Sequence, residues 1–406
     1  MRREATSHLC VNPGPTRLQP VVDRDMTIER SPLEDAAGAA EVDWTTVAAL
    51  TLAYALVRMV VLLGDRLAAS LRFGGSILGP LESWDAQHYL AIALHGYPAT
   101  IPEVAGHLGY SVAAFTPGYP LLTAALHLLG PSVPSSAYLV SVFAGWAAVL
   151  GIWRLASGLV SASRATDAAL LFLVFPGVVL GWGLLYSEPV GLAFVAWSLV
   201  ALRDRWYLVA GILAAMATLS SPAALALAVA GFAQAVFDLR RGRGARALAV
   251  PAGALIGIGS YLGYLAVRYD DLTYYWRLQR QAWGTHLDGG IGLLRALVHP
   301  GALGPFGPGL LLWMGLAVAV GFALATWRAH LPVALWSYVV ANLALLWCTD
   351  GLGPKPRMLS WCLPAFVAVA AVLSDRARRV LLVGCAVAAP VLVLTYTTMG
   401  NSIGPP

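Results

Sequence analysis

Charge is what this chain has least of. Only 12% of its 406 residues are Asp, Glu, Lys or Arg, while 58% are hydrophobic, and the mean hydropathy is +0.70. A soluble domain has roughly a quarter of its residues charged, so an ordinary soluble fold is excluded. Lysine is nearly missing: of 26 basic side chains one is lysine, Lys355, and the rest are arginine. The formal charge of +5 does not imply nucleic-acid binding, because the arginines lie in short connections between apolar runs and there set membrane topology. Cysteine is scarce too. Cys10, Cys348, Cys362 and Cys385 form no CxxC pair, and those in apolar runs act as small hydrophobes, leaving neither a disulfide framework nor a zinc site. There is no phosphate-binding glycine loop, dinucleotide fingerprint or defensible Ser/His/Asp arrangement.

What is present is a succession of apolar runs. A membrane helix needs about 20 mostly apolar residues. Such runs predict spans near 44–64, 136–157, 167–186, 188–202, 206–220, 221–238, 247–268, 309–328, 331–349, 358–374 and 380–398. The fold class is therefore all-α, a polytopic transmembrane bundle of about eleven spans. The run 118–130 is too short to cross and is expected to form a re-entrant or interfacial helix. Residues 1–43, with eight acidic residues, five arginines and no apolar signal-peptide core, read as a disordered cytoplasmic tail. Met26 is an alternative start. Residues 399–406 are expected to form a short C-terminal tail beyond the transmembrane region 44–398. Gly253 with Gly257, and Gly259 with Gly263, have the small-xxx-small spacing of closely packed membrane helices. The hydropathy has no inverted-repeat symmetry of the kind secondary transporters show.

Orientation follows from the arginines, which collect in cytoplasmic connections. With the N-terminus inside, alternate connections hold Arg154 and Arg164, then Arg203 and Arg205, then Arg240, Arg241, Arg243 and Arg246, then Arg328, then Arg376, Arg378 and Arg379. Loops 65–135 and 269–308, the turn 350–357 and the connection at Ser187 then face outward. The expected location is the plasma membrane.

The first outer loop holds unusual chemistry. In Trp84-Asp85-Ala86-Gln87-His88-Tyr89, Asp85, His88 and Tyr89 are neighbours on a helix at i, i+3 and i+4. A carboxylate beside an apolar helix is costly to desolvate, and ionisable groups at membrane depth are functional by default. Trp84, Tyr89 and Tyr97 fit a substrate site or an interfacial aromatic belt equally well. A second outer segment, Tyr274 to His286, places Arg277 and Arg280 on one helical face. Lys355 and Arg357 lie on the same side of the membrane. Each cation either grips an anion or snorkels to the headgroups. Asp270-Asp271 can hold a divalent cation or simply end a span; His107, His127, His299 and His330 are isolated and read as packing or interfacial. Mid-span regions are almost free of ionisable groups, which argues against a transport path.

Taken together, Trp84-Asp85-Ala86-x-His88-Tyr89-Leu90-x-Ile92-Ala93-x-x-Gly96-Tyr97 and Phe115-x-Pro117-Gly118-Tyr119-Pro120 resemble the signature of the PIG-V family. That family comprises the GPI mannosyltransferase 2-like enzymes, a branch of the GT-C membrane glycosyltransferases. Phe175-Pro176 through Leu185-Tyr186-Ser187-Glu188 is similar to a second segment of that family; at Thr116 the chain departs from it. The resemblance implies a GT-C bundle with interfacial helices on long outer loops. It also implies transfer of mannose from polyprenyl-phosphate mannose to a glycolipid or glycoprotein acceptor. Arginine alone can stabilise a phosphate-monoester leaving group, so no cofactor is required, and the expected contacts are membrane lipids and not nucleic acid. Asp85 matches the acidic residue of the first outer loop, the family's candidate base, and Glu188 the second acidic position.

The chemistry of such a transfer needs a base for the acceptor proton, cations for the departing phosphate and an apolar groove for the prenyl chain. Asp85, His88 and Glu188 are the expected catalytic residues. Trp84, Tyr89, Tyr97, Pro117, Tyr119, Ser187, Arg277, Gln279, Arg280, Trp283, Lys355 and Arg357 are the expected substrate contacts, with no metal ligand among them. Another polyprenyl-phosphate sugar, arabinose or glucose, fits the same residues; a lipid flippase, a transporter or a non-catalytic subunit is the reading from another class.

Overall fold

The computed structural model describes residues 43–72, 81–104, 107–299, 308–350 and 356–399. The expected N-terminal tail apart from Asp43, Cys10, Lys355 and residues 400–406 lie outside these.

The chain opens with α1 (Trp44–Arg72), followed by α2 (Ala86–His95), two short strands, and α3 (Gly118–His127). Then come α4 (Val133–Ser157), α5 (Ala162–Val174), α6 (Pro176–Trp182), α7 (Glu188–Arg203), α8 (Tyr207–Ser220) and α9 (Ala226–Arg240). After α10 (Ala249–Tyr269) lie α11 (Tyr274–Ala282), α12 (Ile291–Val298), α13 (Pro308–Arg328) and α14 (Val333–Trp347). The chain closes with α15 (Pro356–Leu359), α16 (Leu363–Val372) and α17 (Asp375–Met399). The molecule is a helical membrane bundle. Two antiparallel pairs of two-residue strands, β1 (Glu103–Val104) with β2 (His107–Leu108) and β3 (His286–Leu287) with β4 (Thr349–Asp350), fasten its loops.

Every expected apolar run is helical, but not every one is an independent span. Among the described residues five helices are long and apolar enough to cross a membrane, and α5 with α6 makes a sixth, bent by 56°. The bend has a local cause: Phe175 precedes proline and takes an extended backbone, φ −62° and ψ 127°, as pre-proline residues favour. The helices α8, α14 and α16 are apolar but shorter. The largest core joins α4, α5, α7, α8, α14 and α16, with Trp182 and Trp361 fully buried. Leu52, Leu56 and Leu63 on α1, and Val383, Val387 and Val391 on α17, are exposed, an apolar surface of the kind hydrocarbon covers.

The paired glycines divide. A Cβ on Gly253 or Gly257 would run into the backbone of Gly211 or Ala215 on α8, whereas one on Gly259 or Gly263 would meet nothing within 4 Å. Close packing therefore explains the first pair only. The nearly uncharged interior of the bundle has an exception on its first helix. Arg58 and Asp65, two helical turns apart on α1, are 4% and 0% exposed.

Candidate active site

Asp85 stands at the amino end of α2. Its carbonyl accepts the amides of His88 at 3.1 Å and Tyr89 at 3.3 Å, while its side chain makes no capping bond. The carboxylate is half-buried and has no ion pair or hydrogen bond among the described residues. Before it, Trp84 has φ 54°, a left-handed backbone that costs a bulky residue about 1–3 kcal/mol and is retained mostly where the surroundings over-determine it.

The α6–α7 turn supplies the facing wall. The Tyr186 hydroxyl accepts the Asp85 N–H at 3.2 Å, and the Arg357 guanidinium lies over the Tyr186 ring at 4.9 Å. Nε of Arg357 is 3.4 Å from Oε1 of Glu188, the first residue of α7, where the helix dipole favours an acid. Ser187 shares a hydrogen bond of 2.9 Å with the Tyr89 hydroxyl. Sequence positions far apart thus close one polar cluster of Asp85, Tyr89, Tyr186, Ser187, Glu188 and Arg357. Burial is the largest influence and opposes the Arg357 charge, but Glu188, Tyr186, Asp85 and Tyr89 together outweigh it and hold the guanidinium more firmly protonated than usual. Burial, helped by Glu188, pushes the Tyr89 phenol well above its ordinary range. Arg357 Nε and Nη1 and Glu188 Oε2 are buried without hydrogen-bond partners among the described residues, donors and acceptor of the kind a polar ligand satisfies.

A ring wall completes the site. His88 stacks on Phe115 at 4.9 Å and meets the edge of Trp283 at 5.3 Å; Tyr89 meets Phe115 edge-on at 5.1 Å. Burial lowers the His88 pKa against the opposing pull of Asp85. Phe115 is held by its backbone neighbours. The Tyr261 hydroxyl donates to the carbonyls of Ala113 and Phe115, Tyr97 donates to Phe115 at 2.7 Å, and the Gln279 amide donates to Ala114 at 3.0 Å. After Pro117, Gly118 allows α3 to touch α8, since a Cβ there would lie 2.9 Å from the Leu219 carbonyl.

Several expected contacts therefore have scaffold duties. Tyr97 spends its hydroxyl on Phe115, Tyr119 on the Ala137 carbonyl at 3.1 Å, and Pro117 precedes the first turn of α3. The predicted phosphate grip on α11 is not assembled. Arg280 is exposed, and Arg277, 51% exposed, pairs with Asp271 at 2.8 Å. Neither is bonded to the Asp85 cluster. The reason lies in how α11 faces: Leu278, Gln279 and Trp283 turn inward, which leaves the arginine face outside. Asp271 gives its other oxygen to Thr273. Among the described residues no three His, Cys, Asp or Glu side chains converge as a metal site.

Sequence reasoning assigned no site role to Arg58, nor to Phe115 and Tyr186, although those two lie within the motifs. Arg58 donates to the Trp182 carbonyl at 2.8 Å and lies over the Tyr138 ring at 5.0 Å. It thereby anchors the end of α6 from which the Tyr186–Glu188 turn departs. Its charge within an apolar run was the available signal.

By sequence, no family model and no curated relative matches the chain. By structure it is similar to ArnT of Cupriavidus metallidurans. The form bound to undecaprenyl phosphate aligns with a TM-score of 0.51 at 18% identity, over 86% of this chain and 66% of that one. The apo form aligns at 0.52 and 17%, with the same coverage. The oligosaccharyltransferase of Archaeoglobus fulgidus aligns more loosely, at 0.42 and 14% over 86% of this chain and 56% of its own. The chain thus spans 66% of the ArnT length. Its fold is similar to that of ArnT.

Proposed function

We propose that this protein is an inverting membrane glycosyltransferase of PIG-V type. In this reading it moves mannose from polyprenyl-phosphate mannose to a lipid-linked glycan or protein on the extracytoplasmic face. The observation that carries it is a half-buried Asp85 carboxylate with no hydrogen-bond partner among the described residues, on a residue whose backbone N–H is bonded to Tyr186, the ring over which the buried Arg357 lies. Asp85 takes the acceptor hydroxyl proton as the acceptor oxygen attacks the anomeric carbon. The bond from that carbon to the carrier phosphate oxygen breaks, a glycosidic bond forms with inversion, and the carrier leaves as a phosphate monoester. Arg357 stabilises the charge growing on that phosphate, and Glu188 keeps Arg357 charged and aimed. Tyr89, His88 and Trp283 form a wall suited to a sugar ring. ArnT, with a similar fold, was solved with undecaprenyl phosphate, which supports a carrier of that class here. A groove of about 480 Å³ between α9 and α14, lined by Val229, Trp336, Val340 and Ala344, is apolar enough for a prenyl chain.

The test is transfer of radiolabelled mannose from polyprenyl-phosphate mannose by membranes carrying Asp85→Asn. A lost general base removes about 10²–10⁴ of the rate, and full transfer refutes the assignment. An arabinosyl or glucosyl donor that outcompetes mannose in the same membranes keeps the mechanism and changes the sugar. The buried Arg58 and Asp65 favour a transport reading more than the sequence did. Arg58, however, is tied to the Trp182 carbonyl, an anchoring role. Uptake or flipping of lipid without transfer, unaffected by Asp85→Asn, supports the transport reading.

A further inference from the structure

The end of α7 remote from Glu188 has a second concentration of cations. With 16 residues in α7, its two ends lie roughly 24 Å apart. Beyond Arg203 a cavity of about 480 Å³ is lined by Arg205, Tyr207, Leu208, Arg243, Arg246 and Ala249. Arginines scattered through connections serve topology, but topology does not require three to converge on one cavity.

The carboxylate beside this cavity leaves them unpaired. Asp238 is buried, and its oxygens take the Tyr207 hydroxyl at 2.7 Å and the Gln234 amide at 3.1 Å. The side chains of Arg205, Arg243 and Arg246 have no ion pair or hydrogen bond among the described residues, unlike Arg154, Arg203 and Arg378, which pair with acids. The backbone here is specialised as well. Arg205 has φ 63°, and Arg243 sits between Gly242 at 69° and Gly244 at 82°, so a left-handed residue and a two-glycine turn present two of the cations. Around them Trp206, Leu208 and Leu248 are exposed, an apolar shoulder fitted to acyl chains.

We propose that this cavity binds the phosphate headgroup of an anionic membrane lipid on the face opposite Asp85. Basic pockets between helices at a membrane surface recognise such headgroups, guanidinium forks bond phosphate oxygens in pairs, and the apolar shoulder favours a lipid over free phosphate.

The full chain in neutral detergent is titrated with phosphatidylglycerol, phosphatidylcholine and inorganic phosphate, reading bound lipid by native mass spectrometry and the unfolding temperature in parallel. Phosphatidylglycerol should bind the wild type at least tenfold more tightly than it binds Arg205→Gln/Arg243→Gln/Arg246→Gln, while Arg240→Gln, one turn away, leaves binding unchanged. If the triple variant does not fold, Arg243→Gln alone, on an exposed turn, should weaken binding at least threefold. Equal binding by wild type and variant overturns the site. So does a response to phosphatidylcholine as large as to phosphatidylglycerol, and a response to inorganic phosphate that matches the lipid points to a free anion and overturns the lipid assignment.

Discussion

Arg357 and Arg277 look alike as letters in connections between apolar runs, and the fold treats them oppositely. Arg357 is 8% exposed, lies over Tyr186 and faces Glu188. Arg277 is half-exposed and neutralised by Asp271. Coulomb attraction is strong in the first environment and largely screened by water in the second. A cation useful to a reacting phosphate is one that water cannot shield, so burial, more than charge, separates the two.

The sharpest attempt to break that contrast is Arg357→Met. Transfer should fall about 10²–10³-fold, the cost of losing one preorganised charge donor. The variant should also lose about 3–5 kcal/mol of stability because Glu188 stays buried and unpaired. Adding Glu188→Gln should restore much of the unfolding temperature in detergent and none of the activity; recovered activity would mean that Arg357 acts only as structural support. A smaller effect concerns His88. Burial lowers its pKa from an ordinary 6.5, so the unfolded chain takes up the proton first as pH falls. Its contribution to stability is complete above about pH 6.5 and fades below. The unfolding temperature should therefore drop more steeply from pH 7.5 to 5.5 in the wild type than in His88→Phe, and parallel curves would contradict the burial. The smallest effect belongs to the exposed partner: Arg277→Ala should cost about 0–1 kcal/mol and change transfer less than threefold. A tenfold loss would place α11 in the phosphate grip after all.

Much of this organisation was legible in the chain. Apolar run lengths located the helices, and Asp85, Ser187 and Glu188 stood out as polar groups where apolar runs begin or end. Asp271 flanking the arginine segment was legible too, yet nothing in sequence spacing says which face of α11 turns inward. The link from Asp85 to Arg357 runs through Tyr186, a residue of the second motif to which the sequence assigns no contact. It depends on how three helices meet, a relation that local periodicity does not encode. The α5–α6 break was announced by Phe175-Pro176, but hydropathy passes smoothly across it. The strand pairs are two residues long, too short for alternation to register. Arg58 and Asp65 were visible and under-weighed, because a charge inside an apolar run is informative only once its burial is known.

The left-handed backbone of Trp84 sets a limit on engineering. A Gly or Asn at that position would relax the turn, since left-handed geometry costs those residues little. The same change would remove the indole wedged between two apolar clusters and loosen the acid that follows it. Relief of about 1–3 kcal/mol of strain is outweighed by the roughly 3–5 kcal/mol lost with a packed aromatic ring, so residue 84 offers no easy gain in heat resistance.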